Sequence, residues 1–259
     1  MKRIILLAFA LFALAAISSA QKTVAVDNWF NHETNEKTGK IYHYTWDDEA
    51  FSGFSQLGDL FKKRNAELKT IAGPPTSKSM KGIDVYIIVD PDTTKENPKP
   101  NYIQPADIKF LKKWVSQGGV LLLMGNDGPN CEFTHFNQLA QEFGFKLNPK
   151  TLNPVINRDW EMGAETKFID HPLFSGVKKI YMKEVAAISL SKAAKPVLND
   201  ADTGAVFIAE TTFGKGYVLV VGDPWLYNEY IDHALLPESF DNLKAANNLV
   251  DLLLSRVKK

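Results

Sequence analysis

Short apolar runs alternate with amphipathic segments along this chain. Asp84–Val89, Val120–Met124 and Tyr217–Val221 are almost wholly apolar, which is typical of strands buried on both faces of a sheet. Thr23–Val26 and Leu68–Ala72 are predicted as two further strands. The order of these strands and of the helices between them predicts an α/β domain with a mainly parallel sheet.

Apolar residues at helical spacing predict four helices. The first extends from about Phe51 to Asn65, and the second begins at Pro105 and stops at Gly118-Gly119. Phe136–Phe143 mark a third helix, and Phe240–Val257 carry the last. Proline suits a first helical turn and glycine a helix end, so the second helix has a start and a stop signal.

The pattern changes after the third helix. From Phe145 to about Ala194, short alternating segments predict mostly strands and loops, which would form a β-rich insertion. Ala205–Thr211 and Tyr217–Val221 then predict a hairpin across Phe213–Gly216.

Residues 1–20 have the composition of a cleavable signal peptide. Lys2 and Arg3 precede an apolar segment from Ile4 to Ile17, and Ser18-Ser19-Ala20 places small residues at the cleavage site. Cleavage after Ala20 would leave residues 21–259 as a single α/β domain. The apolar segment is short for a membrane span, so we expect a periplasmic or secreted protein that is not held in a membrane after signal removal.

Charge and cysteine content narrow the function classes. The sequence has 30 Lys and Arg and 30 Asp and Glu, and removal of Lys2 and Arg3 would leave a net charge of about −2. There is no basic stripe, which disfavours nucleic acid as a partner. Cys131 is the single cysteine, and export without an internal disulfide is typical of a bacterial periplasm.

Polar residues follow four of the predicted strands. They are Asp27-Asn28, Asp90-Pro91-Asp92, Asn126-Asp127 and Asp223. Any one of them could be a turn residue or a helix cap. Because the carboxyl ends of parallel strands share one edge of a sheet, four together predict a polar ligand crevice there.

The polar residues after Val89 match a calcium-binding loop only in part. Asp90, Asp92 and Glu96 provide oxygen ligands, but Lys95 stands where an EF-hand needs glycine and Asn101 where it needs a bidentate glutamate. No paired Cys and His spacing indicates zinc. We therefore predict no metal and no other cofactor, and an irregular calcium site near Asp90 and Asp92 stays open.

Several residues could act in catalysis. Cys131 and His135 are four residues apart and could share a helix face, although Glu132 disfavours a thiolate and packing is the simpler interpretation. Carboxylates at the strand ends could perform acid–base chemistry on a sugar, and a histidine could be a general base. The candidate catalytic residues are His32, Asp90, Asp127, Asp223 and Glu229.

Aromatic residues in polar surroundings could stack on sugar rings, although some of them are expected to pack in the core, as is Trp114. The candidates for stacking are Trp29, Trp46, Tyr102, Trp225, Tyr227 and Tyr230.

Four long segments carry a resemblance to a known family. They are Asp27–Glu33, Ile88–Thr93 with Glu96-Asn97-Pro98, Gly118–Asp127 and Gly222–Tyr230. Together they resemble a domain of Bacteroidetes glycan-degrading systems that occurs alone or fused to unsaturated rhamnogalacturonyl hydrolases. The resemblance covers nearly all of residues 21–259.

The resemblance implies a flavodoxin-like open sheet with helices on both faces, similar to class I glutamine amidotransferases. In that fold a cysteine elbow follows the strand equivalent to Val120–Met124, and a His-Pro-Glu motif follows the last strand. Here the first position has Gly125-Asn126-Asp127 and the second has Asp223-Pro224-Trp225. The resemblance therefore implies the fold without amidotransferase activity. The hydrolase of the fused proteins is a separate module, so its activity is not implied for this chain.

The leading hypothesis is a domain that binds an acidic or pectin-derived oligosaccharide, of the rhamnogalacturonan kind, at the strand-end crevice, with a glycoside hydrolase as a candidate partner. One alternative is a glycan-active enzyme of the glycoside hydrolase type that uses a carboxylate pair in the same crevice. Another is a non-catalytic protein-interaction module. The predicted ligand-binding residues are Asp27, Asn28, His32, Asp90, Asp92, Asn126, Asp127, Asp223, Trp225, Asn228, Glu229 and Tyr230.

Overall fold

A computed structural model describes residues 21–258 of the chain. The predicted signal peptide, residues 1–20, lies outside the described residues. No helix within residues 21–258 is both long enough and apolar enough to cross a membrane.

The described chain contains eleven strands and four α-helices. The strands are β1 (Thr23–Asp27), β2 (Glu67–Ile71), β3 (Val85–Val89), β4 (Val120–Met124), β5 (Phe145–Leu152), β6 (Ala164–Glu165), β7 (Ile180–Tyr181), β8 (Val185–Leu190), β9 (Lys195–Asn199), β10 (Val206–Phe213) and β11 (Gly216–Val221). The helices are α1 (Ser55–Lys62), α2 (Pro105–Ser116), α3 (Phe133–Glu142) and α4 (Asn242–Arg256).

Seven strands form the main sheet, in the order β2-β1-β3-β4-β11-β10-β9. The first five in this order are parallel, whereas β10 is antiparallel to both β11 and β9. The predicted α/β class with a mainly parallel sheet is confirmed, and so is the predicted hairpin, whose strands are β10 and β11.

The core has two layers, one on each face of the sheet. Val24 and Val26 pack with α1 and α4, and Ala25 faces the opposite core with α2 and α3. Because successive side chains of a strand point to opposite faces, the wholly apolar runs of β3, β4 and β11 contribute to both layers. This explains why these strands show no polar face in the sequence.

The first helix is shorter than predicted. α1 begins at Ser55 rather than near Phe51, whose side chain is 60% exposed. At the other end, Asn65 adopts a left-handed φ of 59°, which is incompatible with continuing the helix. The prediction of a helix from Phe51 to Asn65 was therefore wrong at both ends, because isolated apolar residues at helical spacing extended the pattern beyond the packed turns.

The predicted β-rich insertion consists of paired strands and loops. β5 pairs antiparallel with β8, and β6 pairs with β7. The β5–β8 pair crosses the ends of β4 and β11, where the main-chain N–H of Ala186 donates to the carbonyl oxygen of Gly222 at 2.9 Å. A Cβ atom on Gly125 would overlap the side chain of Leu147, and one on Gly222 would overlap the carbonyl oxygen of Ala186. The two glycines therefore permit this close crossing.

Gly222→Ala is expected to lower the free energy of unfolding by about 1–3 kcal/mol, the usual cost of overpacking a filled region. The cause is the overlap with the main chain of Ala186, which cannot move without breaking its bond to Gly222. Urea denaturation would measure the change. Gly73→Ala is the matched control, because no atom lies within 4 Å of its added methyl group. Equal effects of the two substitutions would contradict the proposed crossing.

Candidate functional site

The four predicted polar strand ends lie along one edge of the sheet. β1, β3, β4 and β11 are adjacent and parallel, and the register pairs Met124 with both Val89 and Val221. The loops that begin at Asp90, Gly125 and Gly222 therefore leave the sheet at one level. The predicted common edge is confirmed, but the polar side chains on it form separate groups.

The chain changes direction across the sheet between β1 and β3. From β1 it passes to β2 on one side, and it then returns with β3 on the other side of β1. Open α/β sheets bind ligands where such a reversal separates two loops beyond the carboxyl ends of the strands. The loops that follow β1 and β3 thus flank the candidate site.

Asp27 shapes the loop after β1. Its Oδ2 accepts main-chain N–H bonds from Phe30 at 2.7 Å, Trp29 at 3.2 Å and Asn31 at 3.3 Å, and its Oδ1 accepts from the Tyr86 hydroxyl. All these partners are donors from the protein itself. Asp27 was predicted to bind ligand, and the structure uses its carboxylate to fold the turn that presents the next residues. Asn28 is similarly occupied, because its Nδ2 donates to the carbonyl oxygen of Asn31 at 3.0 Å.

Asp90 begins the loop after β3 and lies at the centre of a buried network. Its Oδ2 accepts from Asn126 Nδ2 at 2.7 Å and from the Tyr44 hydroxyl at 3.1 Å, and its carbonyl oxygen accepts from Asn31 Nδ2 at 2.7 Å. Asp90 has a left-handed φ of 46°, and Tyr44 one of 49°. Such conformations cost about 1–3 kcal/mol in residues other than glycine and occur often at functional sites.

Asp92, in the loop after β3, is hydrogen-bonded to the loop after β1. Its Oδ2 accepts from the His32 main-chain N–H at 3.0 Å and from Asn97 Nδ2 at 2.7 Å, and it lies 3.1 Å from His32 Nδ1. Asn97 Nδ2 is also 3.0 Å from His32 Nε2. The His32 side chain is 24% exposed, whereas that of Asp92 is fully buried. The His32 imidazole therefore lies between solvent and the buried Asp92 carboxylate.

Two glutamates lie near this network. Glu33 is buried, and its Oε1 is 3.0 Å from His43 Nδ1. Glu96 is partly exposed, and its Oε2 accepts from the Thr93 hydroxyl at 3.0 Å. We call the whole group the switch-point site, which comprises Asn31, His32, Glu33, His43, Tyr44, Asp90, Asp92, Glu96, Asn97 and Asn126.

Burial and mutual repulsion raise the pKa values of three carboxyls at the switch-point site. Burial, followed by the charge of Glu96, raises the pKa of Asp90 well above its ordinary value. Burial, followed by the charge of Glu33, raises the pKa of Glu96 to about 7. Burial also raises the pKa of Asp92, although bonds from Asn97 and His32 oppose this shift. Perturbed pKa values of this kind occur more often at functional sites than elsewhere.

Three buried oxygens of the switch-point site have no hydrogen-bond partner. They are Asn31 Oδ1, Asp90 Oδ1 and Asp92 Oδ1. Their residues are between 1% and 5% exposed. A buried acceptor without a donor costs about 1–3 kcal/mol, and native structures contain few of them. The site therefore offers three acceptors that a ligand with hydroxyl donors would satisfy.

Asp223 belongs to a second group at the end of β11. Its Oδ1 accepts from the Trp225 main-chain N–H at 2.7 Å, and its Oδ2 accepts from that of Lys183 at 2.8 Å. Both oxygens are thus committed to the main chain. Lys183 Nζ lies 3.5 Å from the centroid of the Trp225 ring, and the Tyr230 ring is 5.4 Å from it. The ring expected to stack on a sugar has one face covered by a lysine.

The remaining predicted site residues are also placed by local contacts. Asp127 Oδ1 accepts from Asn130 Nδ2 at 2.5 Å, and Asn228 Oδ1 accepts from the Tyr230 main-chain N–H at 3.4 Å. Asn228 is buried, and its Nδ2 has no partner. The side chain of Glu229 lies outside the part of the chain that the structure describes.

Of the candidate stacking residues, Trp29 is the one beside the switch-point site, where its ring lies nearly parallel to that of His32 at 6.5 Å. Tyr227 is fully buried, and Trp46 packs on Phe54 and Phe61 of the core. Tyr102 stacks on His135 at 4.7 Å.

Cys131 and His135 do not share a helix face, and the structure agrees with the interpretation of Cys131 as a packed residue. α3 begins at Phe133, so Cys131 precedes the helix and instead forms an isolated bridge with Asp92. The thiol is buried, which, with the charge of Asp90, raises its pKa well above the ordinary value. A thiol in these surroundings packs and does not act as a nucleophile.

Residues 21–258 contain no group of three or more His, Cys, Asp or Glu side chains placed to hold a metal ion. A surface groove of about 950 Å³ lies along α2 and α3, and its lining includes Ile108, Lys112 and Phe213. The groove shares no residue with the switch-point site.

Sequence reasoning missed several members of the switch-point site. Asn31, Glu33 and Asn97 lie within motifs that the sequence analysis noted, but they were not chosen as ligand-binding residues. Tyr44 and His43 come from the connection before α1 and reach the site from a distant part of the sequence. Two consecutive left-handed residues, His43 and Tyr44, create this approach, and no local sequence pattern indicates it.

Several solved structures have a similar fold. The mmIFT52 N-terminal domain matches with a TM-score of 0.69 and 16% identity, over 90% of this chain and 98% of that chain. The cytoplasmic protein STM1381 from Salmonella typhimurium LT2 matches with a TM-score of 0.57 and 14% identity, over 92% of this chain and 100% of that one. No known protein family matches the sequence, and no curated protein is a significant match.

A third similar structure is Gan42B, a GH42 β-galactosidase. It matches with a TM-score of 0.50 and 13% identity, over 91% of this chain but only 30% of the enzyme. At these identities the comparisons show the fold and not the function. The chain is an α/β domain with a mostly parallel seven-stranded sheet and a polar site at its topological switch point.

Proposed function

We propose that this chain is a carbohydrate-binding domain and that its ligand occupies the switch-point site. The observation that carries the proposal is the set of three buried oxygens without donors, on Asn31, Asp90 and Asp92. Each sugar hydroxyl can donate one hydrogen bond and accept others, so the hydroxyls of a sugar can supply the donors that these acceptors lack.

The surroundings of these oxygens also suit a sugar. Trp29 and His32 provide partly exposed rings beside the buried acceptors, and ligand sites combine apolar surface with a few placed polar groups. A sugar hydroxyl could replace the contact between Asn97 and the His32 imidazole without breaking the sheet. Binding therefore requires side-chain movement at the rim, where His32 is already partly exposed.

The wider role rests on the sequence motifs. We propose an exported domain with the class I glutamine amidotransferase-like arrangement of the flavodoxin-like fold, which binds plant glycans of the pectin or rhamnogalacturonan kind. A similar fold forms 30% of a GH42 β-galactosidase, so in that enzyme the fold occurs together with carbohydrate chemistry, which is compatible with the proposal.

Catalysis on a glycan is a second candidate function, and one contact favours it. His32 Nδ1 lies 3.1 Å from the buried Asp92 carboxylate without an aligned hydrogen bond, and a small rotation of the imidazole would give the pairing of a base oriented by an acid. Glu96, with a pKa raised to about 7, would be protonated in about half of the molecules at neutral pH and could donate that proton to a leaving group. In this alternative the reaction takes place at the switch-point site and not at Asp223.

Binding is tested by calorimetric titration of the purified protein with a panel of neutral and pectic oligosaccharides. His32→Ala is expected to weaken binding at least about tenfold, equivalent to about 1.4 kcal/mol, because the imidazole lies at the entrance to the acceptors. His233→Ala is the matched control, since His233 is exposed and contacts the carbonyl oxygen of Leu236 instead.

Failure of every oligosaccharide to bind the unmodified protein would refute the carbohydrate proposal and favour a protein-interaction module. Release of reducing ends by the unmodified protein would identify an enzyme. Glu96→Gln separates the two functions, because it would remove the acid needed for turnover while retaining most of the side-chain volume for binding.

A further inference from the structure

Four carboxyl groups lie together at the switch-point site. They belong to Glu33, Asp90, Asp92 and Glu96. The charge of Glu33 acts on the other three, and the charge of Glu96 acts on Asp90. Tyr42 beside them has its pKa raised by burial and then by the charge of Glu33. The site therefore disfavours a further negative charge.

Few positive groups compensate for these carboxyls. His32 lies 3.1 Å from Asp92, and His43 lies 3.0 Å from Glu33, so each imidazole is already paired. Lys95 is the lysine whose charge acts on Glu96, but its Nζ donates to Asn130 Oδ1 at 2.8 Å.

The arginines of the described chain do not supply the missing charge. Arg64 pairs with Asp251, and Arg256 lies near Glu210. Arg158 belongs to the exposed connection between β5 and β6. Arginine is the side chain best suited to hold a carboxylate, through two parallel hydrogen bonds, and none of the three belongs to the switch-point site.

The hydrogen-bond inventory leads to the same conclusion. Asp90 Oδ1, Asp92 Oδ1 and Asn31 Oδ1 need donors. An ionised uronate carboxylate is acceptor-only, whereas a hydroxymethyl group can donate. A uronate that presented its carboxylate to these oxygens would add a fifth carboxylate to the site and leave the acceptors unsatisfied, whereas a hydroxymethyl group of a neutral hexose would satisfy one of them. For a methyl-esterified uronate, the advantage over the free acid is the loss of the charge.

We infer that the switch-point site selects an uncharged sugar residue, such as a neutral hexose or a methyl-esterified uronate, over the free uronate. This inference rests on the proposed carbohydrate-binding function and specifies the substrate class of that site. It also revises the expectation of an acidic ligand. If the natural glycan is pectic, its recognised residue is neutral or esterified.

The test compares two forms of one ligand, fully methyl-esterified trigalacturonate and the de-esterified trimer, by calorimetry near neutral pH in the presence of EDTA. The two forms have the same sugar rings and linkages, so charge and the ester methyl groups distinguish them. The esterified trimer is expected to bind at least about tenfold more tightly than the acid, a difference of about 1.4 kcal/mol. Added salt should narrow this difference, because ions screen the repulsion.

Variants identify the source of the selectivity. Glu33→Gln combined with Glu96→Gln is expected to reduce the difference in affinity between the esterified and the acid trimer, since it removes two of the four carboxyls. Glu142→Gln removes a glutamate that pairs with Lys112 on the helical side and should leave the difference unchanged.

Equal or tighter binding of the acid trimer would overturn the inference while leaving the carbohydrate proposal intact. Tighter binding of the acid that appears only with added Ca²⁺ would also overturn it, because a cation would then carry the recognition. If neither trimer binds but neutral oligosaccharides of the panel do, the site rejects the uronate skeleton whatever its charge, which overturns the charge-based inference and leaves the carbohydrate proposal intact. If no oligosaccharide binds at all, the proposed function fails together with the inference.

Discussion

Chemical denaturation is expected to show that the protein is more stable near about pH 4–5 than near about pH 8, because the folded state binds protons that the unfolded chain has lost. Burial raises the pKa of Asp27 and of Asp223 from 3.8 to about 7, and those of Glu96 and Glu165 from 4.5 to about 7. In each case burial is the largest cause.

The sign follows from the direction of these shifts. Unfolded aspartate and glutamate lose their protons near about pH 4, whereas the folded groups keep theirs until about pH 7. Between these limits the folded state holds more protons, so the free energy of unfolding falls as pH rises. Glu210, Asp241 and Asp251 have lowered pKa values and oppose this trend only at more acid pH.

The effect should be large. Each unit of pKa shift corresponds to about 1.4 kcal/mol, so the two fully buried groups, Asp27 and Asp223, correspond to several kcal/mol together. The contributions of Glu96 and Glu165 are smaller, since both are partly solvated. Urea denaturation at a series of pH values would measure how steeply the free energy of unfolding falls as pH rises.

Asp27→Asn is the control for this pH dependence of the free energy of unfolding. An asparagine oxygen can accept the same main-chain N–H bonds, and its amide can donate to the Tyr86 hydroxyl oxygen, so the turn should survive. The variant is expected to show a shallower decrease between about pH 5 and about pH 7, since one titrating group is gone. A protein whose stability is flat or rises over this interval would contradict the burial-driven shifts.

Asp223→Asn is expected to destabilise the fold by about 1–3 kcal/mol, the cost of leaving one buried donor unsatisfied. The two carboxylate oxygens accept from the main-chain N–H groups of Trp225 and Lys183. An asparagine has one oxygen, so its amide group would face an N–H group at the other position. Thermal and urea unfolding would measure the loss near about pH 5, because the raised pKa of about 7 keeps the folded carboxyl of Asp223 uncharged there and the substitution then removes no buried charge.

Asp232→Asn is the matched control for this substitution. Asp232 Oδ1 also accepts a main-chain N–H, from Ala234 at 2.9 Å, but in a solvent-exposed setting, so the change should stay within about 0.5 kcal/mol. If Asp223→Asn left stability unchanged and abolished turnover of a glycan, Asp223 would be catalytic and the structural role assigned to it would be wrong.

The same comparison shows how far the sequence could locate the site. Asp223 and Asp90 follow buried strands in similar sequence contexts, each before a proline. The sequence gives no reason to separate them. The structure does, because Asp223 has both oxygens bonded to the main chain, whereas Asp90 retains an oxygen without a partner.

The β5–β8 pair accounts for this separation. It crosses the ends of β4 and β11 at Gly125 and Gly222 and brings Lys183 to Asp223. The alternating pattern from Phe145 to Ala194 predicted strands there, but a local pattern does not state which distant strand ends they will cover. The polar residues that follow β1 and β3 lie farther along the same sheet edge, at the switch point, and not at the ends of β4 and β11 that this pair crosses.

The sequence by itself determined the α/β class, the positions of the buried strands and the polar character of their ends. It could do so because apolar runs, helical spacing and turn residues act over short stretches of chain. Only the tertiary structure decided which polar ends meet: Asp90 contacts Tyr44 and Asn126, which are 46 and 36 residues away. Such contacts depend on strand order and on main-chain conformation at His43 and Tyr44, and these are fixed when the sheet and its covering segments pack together.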